Sequence, residues 1–164
     1  MQIKLTLIVI WGLFLTFFHS MTKAKADAYI IERSRIDFGS LIYISGGCVM
    51  AYDTKLITNV IGSNICISEE GQLGKYRIYA DPHTDITITV KSHNDNGNGI
   101  IYVPDGEVTN DIESKLIIAD IGITINSETS GIIDINLGGR IRINGILSSN
   151  NNYSENFSIE FNEI

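Results

Sequence analysis

Cysteine, histidine and tryptophan are scarce in this chain of 164 residues, and each scarcity narrows what the chain can do. Cys48 and Cys66 are the only cysteines, with no C-x-x-C or similar short spacing, so the sequence excludes a thiolate metal centre of ordinary pattern. In an oxidising compartment such a pair is expected to form a disulfide. Closing that loop is worth ~3 kcal/mol in the chain-entropy model. Two buried free thiols are the alternative, if strand geometry holds the Cβ atoms apart. Of three histidines, His83 and His93 fall in turn-like contexts and His19 near the start. No G-x-S-x-G or comparable nucleophile signature accompanies them, and no cofactor motif is present. The only tryptophan, Trp11, lies in the first segment, so any sugar-stacking surface must come from tyrosine and phenylalanine.

Long apolar runs are also missing, with one exception at the start. Leu5 to Phe18 carries no charge, follows Lys4, and leads into Met21-Thr22-Lys23-Ala24-Lys25-Ala26. A basic start, a short apolar stretch and a small-x-small ending are the pattern of a secretory leader, with cleavage expected after Ala26. The run is shorter than the roughly 20 residues a membrane span needs. Residues 27–164 then form one expected domain of ordinary size. All 19 acidic residues but only nine of the 12 cations lie in it, a formal charge of −10. Nucleic acid and anionic membrane surfaces are disfavoured as partners on that ground. The expected location is extracytoplasmic: periplasmic, cell-surface or secreted.

No stretch has helical periodicity; the apolar pattern alternates with period two. Strands are expected at 29–36, 38–44, 48–52, 65–68, 75–80, 85–91, 99–103, 115–121, 123–126, 132–137, 140–147 and 157–161. Their isoleucine, valine, threonine and tyrosine suit a half-buried pleat. The strongest local signal is Ile133-Asp134-Ile135-Asn136-Leu137-Gly138-Gly139-Arg140-Ile141-Arg142-Ile143. It predicts a hairpin turning at Gly138-Gly139, because a two-residue turn needs positive φ. Ile133, Ile135, Leu137, Ile141 and Ile143 would face the core, and Asp134 would oppose an arginine across the turn. Asn94 to Gly99, Pro104-Asp105-Gly106 and Ser148 to Asn152 read as turns or loops. Many short strands without helices predict an all-β antiparallel sandwich.

Few residues invite chemistry. Glu69-Glu70 and Asp111-x-Glu113 are the close carboxylate pairs a glycoside hydrolase would need, and both sit beside turns, where solvated acids are ordinary. His93 to Gly99 has the oxygen-rich look of a cation loop but lacks a bidentate glutamate at the right spacing, so no metal site is assigned. Asn152 and Asn156 fall in N-x-S acceptor patterns.

The remaining signal is a series of glycines and aromatics. It runs through Asp37-Phe38-Gly39, then Gly145-Ile146-Leu147, and ends in Asn152-Tyr153-Ser154-Glu155-Asn156-Phe157-Ser158-Ile159-Glu160-Phe161. In this order the residues resemble the bacterial family called domain of unknown function 4402, which is similar to spore coat protein U and to the pilins of archaic chaperone-usher systems. Phe38, Gly39, Gly145, Leu147, Tyr153 and Phe157 carry the likeness. It implies an immunoglobulin-like, non-catalytic surface subunit, with one sheet edge left incomplete and filled by a strand from a neighbouring subunit or a chaperone. Strand exchange would use one face of residues 28–35, with Ser158, Glu160 and their neighbours as the receiving edge. A secreted glycan-binding module, stacking sugar on tyrosines such as Tyr102 or Tyr153, is the alternative, and a glycoside hydrolase is a third class.

Overall fold

The computed structural model describes residues 27–93, 99–147 and 157–164. The leader with Ala26, the loops at 94–98 and 148–152, Tyr153 and the acceptors Asn152 and Asn156 lie outside the described residues. Within them the chain is an all-β sandwich, as its period-two pattern requires. In order the strands are β1 (Tyr29–Ser34), β2 (Gly46–Met50), β3 (Ile57–Gly62), β4 (Gly74–Tyr79), β5 (Asp85–Val90), β6 (Ile100–Thr109), β7 (Ser114–Ile118), β8 (Ile123–Asn126), β9 (Ile132–Ile143) and β10 (Ile159–Glu163). Seven form one antiparallel sheet and β10, β5 and β8 form the second.

The expected hairpin at Gly138-Gly139 does not form. Residues 132–143 are one continuous strand of 12 residues. One edge of β9 pairs with β6 in unbroken register from Ile100↔Ile143 to Thr109↔Asp134. The other pairs with β4 through Ile132 to Leu137, then with β2 from Gly139 to Ile143. The glycines mark that change of neighbour. A Cβ on Gly138 would strike the Met50 carbonyl and come within 2.9 Å of the Tyr52 nitrogen, and one on Gly139 would lie 2.5 Å from the Val103 carbonyl. Gly139 also has φ +127°, which a side chain resists. Close backbone approach, not reversal, is the reason for both. The alternating apolar face itself is as expected: Ile133, Ile135, Leu137, Ile141 and Ile143 are all buried. Asp134, however, pairs with Arg77 of β4, through two bonds of 2.7 and 2.8 Å, and not with an arginine of its own strand.

Three further expectations are corrected. Pro104-Asp105-Gly106 runs through the middle of β6. Tyr102 exchanges both backbone bonds with His93 on the outer edge of β6, so by alternation the Pro104 nitrogen faces that edge too, ahead of the first β7 pairing at Asp105, where no donor is needed. Segments 38–44 and 65–68 are irregular, joined by the single bridge Leu41↔Cys66, while β3 is a strand that its uneven apolar pattern concealed. The chain also leaves β9 at Ile143 and does not continue as strand to Leu147.

Two apolar clusters fill the sandwich. One gathers Met50, Ile65, Tyr102, Ile141 and Ile143 with the Cys48–Cys66 disulfide. The other packs Ile78, Val108, Ile133, Ile135 and Leu137 against Ile86, Ile88, Val90 and Ile125 of the small sheet. Phe157 touches both.

Gly138→Ala should cost about 3 kcal/mol or prevent folding, since backbone and not a mobile side chain blocks the new methyl group; urea titration of the two proteins measures it. The double variant Cys48→Ala, Cys66→Ala should lose ~3 kcal/mol in the same titration, because the bridge closes an 18-residue separation and both sulfurs are already in apolar surroundings.

Candidate functional site

The two sheets are not joined along one side. Among the described residues β1 pairs only with β4, and β10 only with β5, so each leaves an edge facing the other across a seam. Alternation fixes which groups face it. Lys91 N–H donates to the Ser158 carbonyl, and Ile164 N–H to that of Asp85, which commits the even residues of β10 to β5. The N–H and C=O groups of Ile159 and Phe161 therefore point into the seam. On the other side, Ala80 N–H donates to the Gly131 carbonyl, so the even residues of β4 face β9 and the odd ones face β1. Tyr29 and Ile31 meet Tyr79 and Arg77 there, leaving the backbone of Ile30 and Glu32 toward the seam.

At one end the seam is clasped: Ala28 N–H donates to Glu163 Oε1 at 3.1 Å. At the other end it widens into a groove of about 990 Å³. Ile100 and Tyr102 of β6 with Ile141 and Ile143 of β9 form its floor. Ile30, Glu32 and the stretch from Arg35 to Leu41 make one wall, and Phe157 and Ile159 the other. Because Ala28 meets Glu163 while Glu32 and Ile159 share the groove, β1 and β10 run in opposite directions along it.

Aromatic rings shape the floor. Tyr102 lies 5.3 Å from Phe157 and 6.2 Å from Phe38, and Tyr76 sits edge-on to Phe157 at 6.0 Å, distances at which aromatic pairs add to burial. The Tyr102 hydroxyl is satisfied by the Gly138 carbonyl at 2.5 Å. Burial pushes the Tyr102 phenol well up, and burial with neighbouring Glu32 pushes Tyr76 to about 12. Both remain neutral hydrogen-bonding groups at ordinary pH. At the rim, Glu32 pairs with Arg35 at 3.1 Å and Asp37 Oδ1 accepts from Gly39 N–H, which holds Gly39 at φ +71°. Nothing in this set combines a nucleophile with an oriented base.

The structure brings some of the sequence candidates together. Phe38, Gly39 and Phe157 all reach the groove, and Leu147 packs on the same apolar cluster. Gly145 turns the chain at φ +102° after β9. Residues 29–34 are hydrogen-bonded to β4, so they are not a loose arm available for exchange. On the receiving side, Ser158 and Glu160 are engaged with β5, and their neighbours Ile159 and Phe161 hold the open groups. Tyr102 is 4% exposed, buried too deeply to stack a sugar. Glu69, Glu70, Asp111 and Glu113 are exposed, and His83 and His93 lie beyond opposite ends of β5. Tyr76 and Tyr102 were not legible as groove residues, since each reads as an ordinary strand aromatic.

Asp105, on the outer face of β6, is the other unusual group: its Oδ1 is buried with no hydrogen-bond partner. Burial raises its carboxyl pKa, Arg140 opposes the rise and Asp53 adds to it. No protein-family model, curated protein or solved structure matches the chain.

A carboxyl whose pKa is higher folded than unfolded binds its proton more tightly in the native state. Stability should therefore fall as pH rises from about 3.9 through the folded value. Asp105→Asn should remove that component of the slope and raise the thermal midpoint at pH 7, while the two proteins converge at acid pH; scanning calorimetry across pH checks both.

Proposed function

We propose that this chain is a non-catalytic, extracytoplasmic structural subunit of fimbrial type. In this reading it is an immunoglobulin-like sandwich that accepts an extended segment of a partner subunit or chaperone in the groove between β1 and β10. The observation that carries the reading is the combination of two strand edges, unpaired among the described residues, with an apolar floor. An added strand can satisfy Ile159 and Phe161 by main-chain bonds, while its alternate side chains fill the space above Tyr102 and Ile141. Hydrogen bonds of that kind give affinity without demanding one sequence, and the floor selects apolar residues at every second position. The leader pattern of residues 1–26 and the likeness to archaic pilins support the same assignment. Since β1 is held by β4, the chain acts as an acceptor.

A second reading rests on Tyr29, which is 54% exposed and stacked on Tyr79 at 5.1 Å and 17°. Such a pair on an outer sheet face is a platform for a sugar ring, the feature a glycan-binding module needs. The carboxylate pairs of a hydrolase find no such support, since Glu69, Glu70, Asp111 and Glu113 are all exposed.

A labelled peptide with the sequence of residues 27–36, which carries the apolar run Ala28-Tyr29-Ile30-Ile31, should bind the purified protein saturably in fluorescence anisotropy. Ile159→Pro should weaken that binding at least about tenfold, the order expected for a lost main-chain bond. The Ile159 nitrogen is outside the β5 ladder, so the sandwich should survive, which circular dichroism verifies. A strictly monomeric protein with no peptide binding would sink the acceptor reading. A glycan-array hit abolished by Tyr29→Ala would promote the second.

A further inference from the structure

We propose that Glu163 is the receiving site for the chain's own new amino terminus, so that leader removal latches β1 to β10. The inference rests on the leader reading above and is independent of whether the groove is occupied. Hydrolysis of the Ala26–Asp27 peptide bond by a signal peptidase consumes one water. It leaves a carboxylate on Ala26 and an α-ammonium on Asp27. In the structure the next nitrogen along, that of Ala28, already donates to Glu163 Oε1 at 3.1 Å. One residue of chain spans at most about 3.6 Å, so the Asp27 nitrogen is held within a single residue's reach of the same carboxylate. A carboxylate offers two oxygens and about four acceptor positions, so it can hold more than one donor.

Before processing, the Asp27 nitrogen is a neutral amide and the contact at Ala28 is an ordinary hydrogen bond. Afterwards a full positive charge stands beside Glu163, and charge-assisted bonds are about twice as strong as neutral ones. The strand ends that meet here belong to different sheets. β1 reaches the large sheet through Tyr29↔Tyr79, and β10 is fixed in the small one through Glu163↔Ile86 and the Ile164 N–H bond to the Asp85 carbonyl. The latch therefore ties the two sheets across the seam at the end away from the groove. Its consequence is directional: the processed chain keeps β1 at home and leaves the Glu32–Ile159 end for a partner.

The test compares exported full-length protein with a variant carrying Ser-Ser inserted between Ala26 and Asp27, so that processing leaves the ammonium two residues further out. Each is made with Glu163 and with Glu163→Gln, which keeps an acceptor for the Ala28 N–H but not the charge. With Glu163, the insertion should lower the thermal midpoint by about 3 °C, the size of effect a contact of this kind has on a domain of this length. With Glu163→Gln, the insertion should change nothing. An equal effect in both backgrounds, or none in either, overturns the latch. Intact mass measured on the same samples separates the causes of failure. A chain beginning at Asp27 without the effect overturns the latch and leaves the leader reading standing, whereas a chain beginning elsewhere overturns both.

Discussion

The arrangement depends on the hydrogen bonding of one strand to three neighbours. β9 presents a single uninterrupted edge to β6 and divides the other between β4 and β2. A strand can change partner in mid-course only if the incoming backbones approach closely where the old one leaves, and a side chain at that point would hold them apart. Gly138 and Gly139 remove that obstacle, with the Met50 and Val103 carbonyls packed where β-carbons would otherwise be. Gly106, opposite Leu137 on β6, does the same against the Asn136 carbonyl. The tight crossing is therefore made by main chain, and the bulky residues are displaced to either side.

That displacement accounts for the two clusters and the groove. Upstream of the crossing, Ile133, Ile135 and Leu137 face the small sheet and are covered by it. Downstream, Ile141 and Ile143 are roofed by the disulfide-bearing segment and by Phe38, and the small sheet contributes Phe157 at the boundary. Between the two coverings lies the groove, whose floor residues Tyr102, Ile141 and Ile143 are themselves buried. Fully burying a residue such as Ile is worth about 1.5–3 kcal/mol.

Much of the fold is legible in the sequence, because the residues that alternate in β9, β5 and β4 also alternate in burial. Gly-Gly misleads for a physical reason: positive φ and backbone crowding both demand glycine, and only the identity of the neighbours tells them apart. Pro104 misleads similarly, since its missing donor matters in a central ladder but not on the outer edge beside His93. β3 was concealed because Thr58, Val60 and Ile61 are all exposed on an edge strand, leaving no clean alternation to read. Phe38, Gly39 and Phe157 could be singled out by their order along the chain. Tyr76 and Tyr102 could not, because their partnership with Phe157 spans 81 and 55 positions and exists only once the strands have paired.

The seam differs from the other sheet edges. Open strands invite unwanted pairing, and folded proteins cover them. Lys115 on β7 extends its ammonium to the Thr124 carbonyl of β8, closing the opposite side of the sandwich with a charged group. Along β3, Asn59 exchanges two bonds with the backbone of Cys66, so the segment after Ile65 shields that edge. Among the described residues none covers the seam at Ile159 and Phe161 in this way, and the surface beneath them is apolar instead of charged. The fastening of Ala28 to Glu163 sits at the end away from the groove. Among the described residues the other free edges are shielded by a charged group or an irregular segment, and the seam above the apolar floor is not.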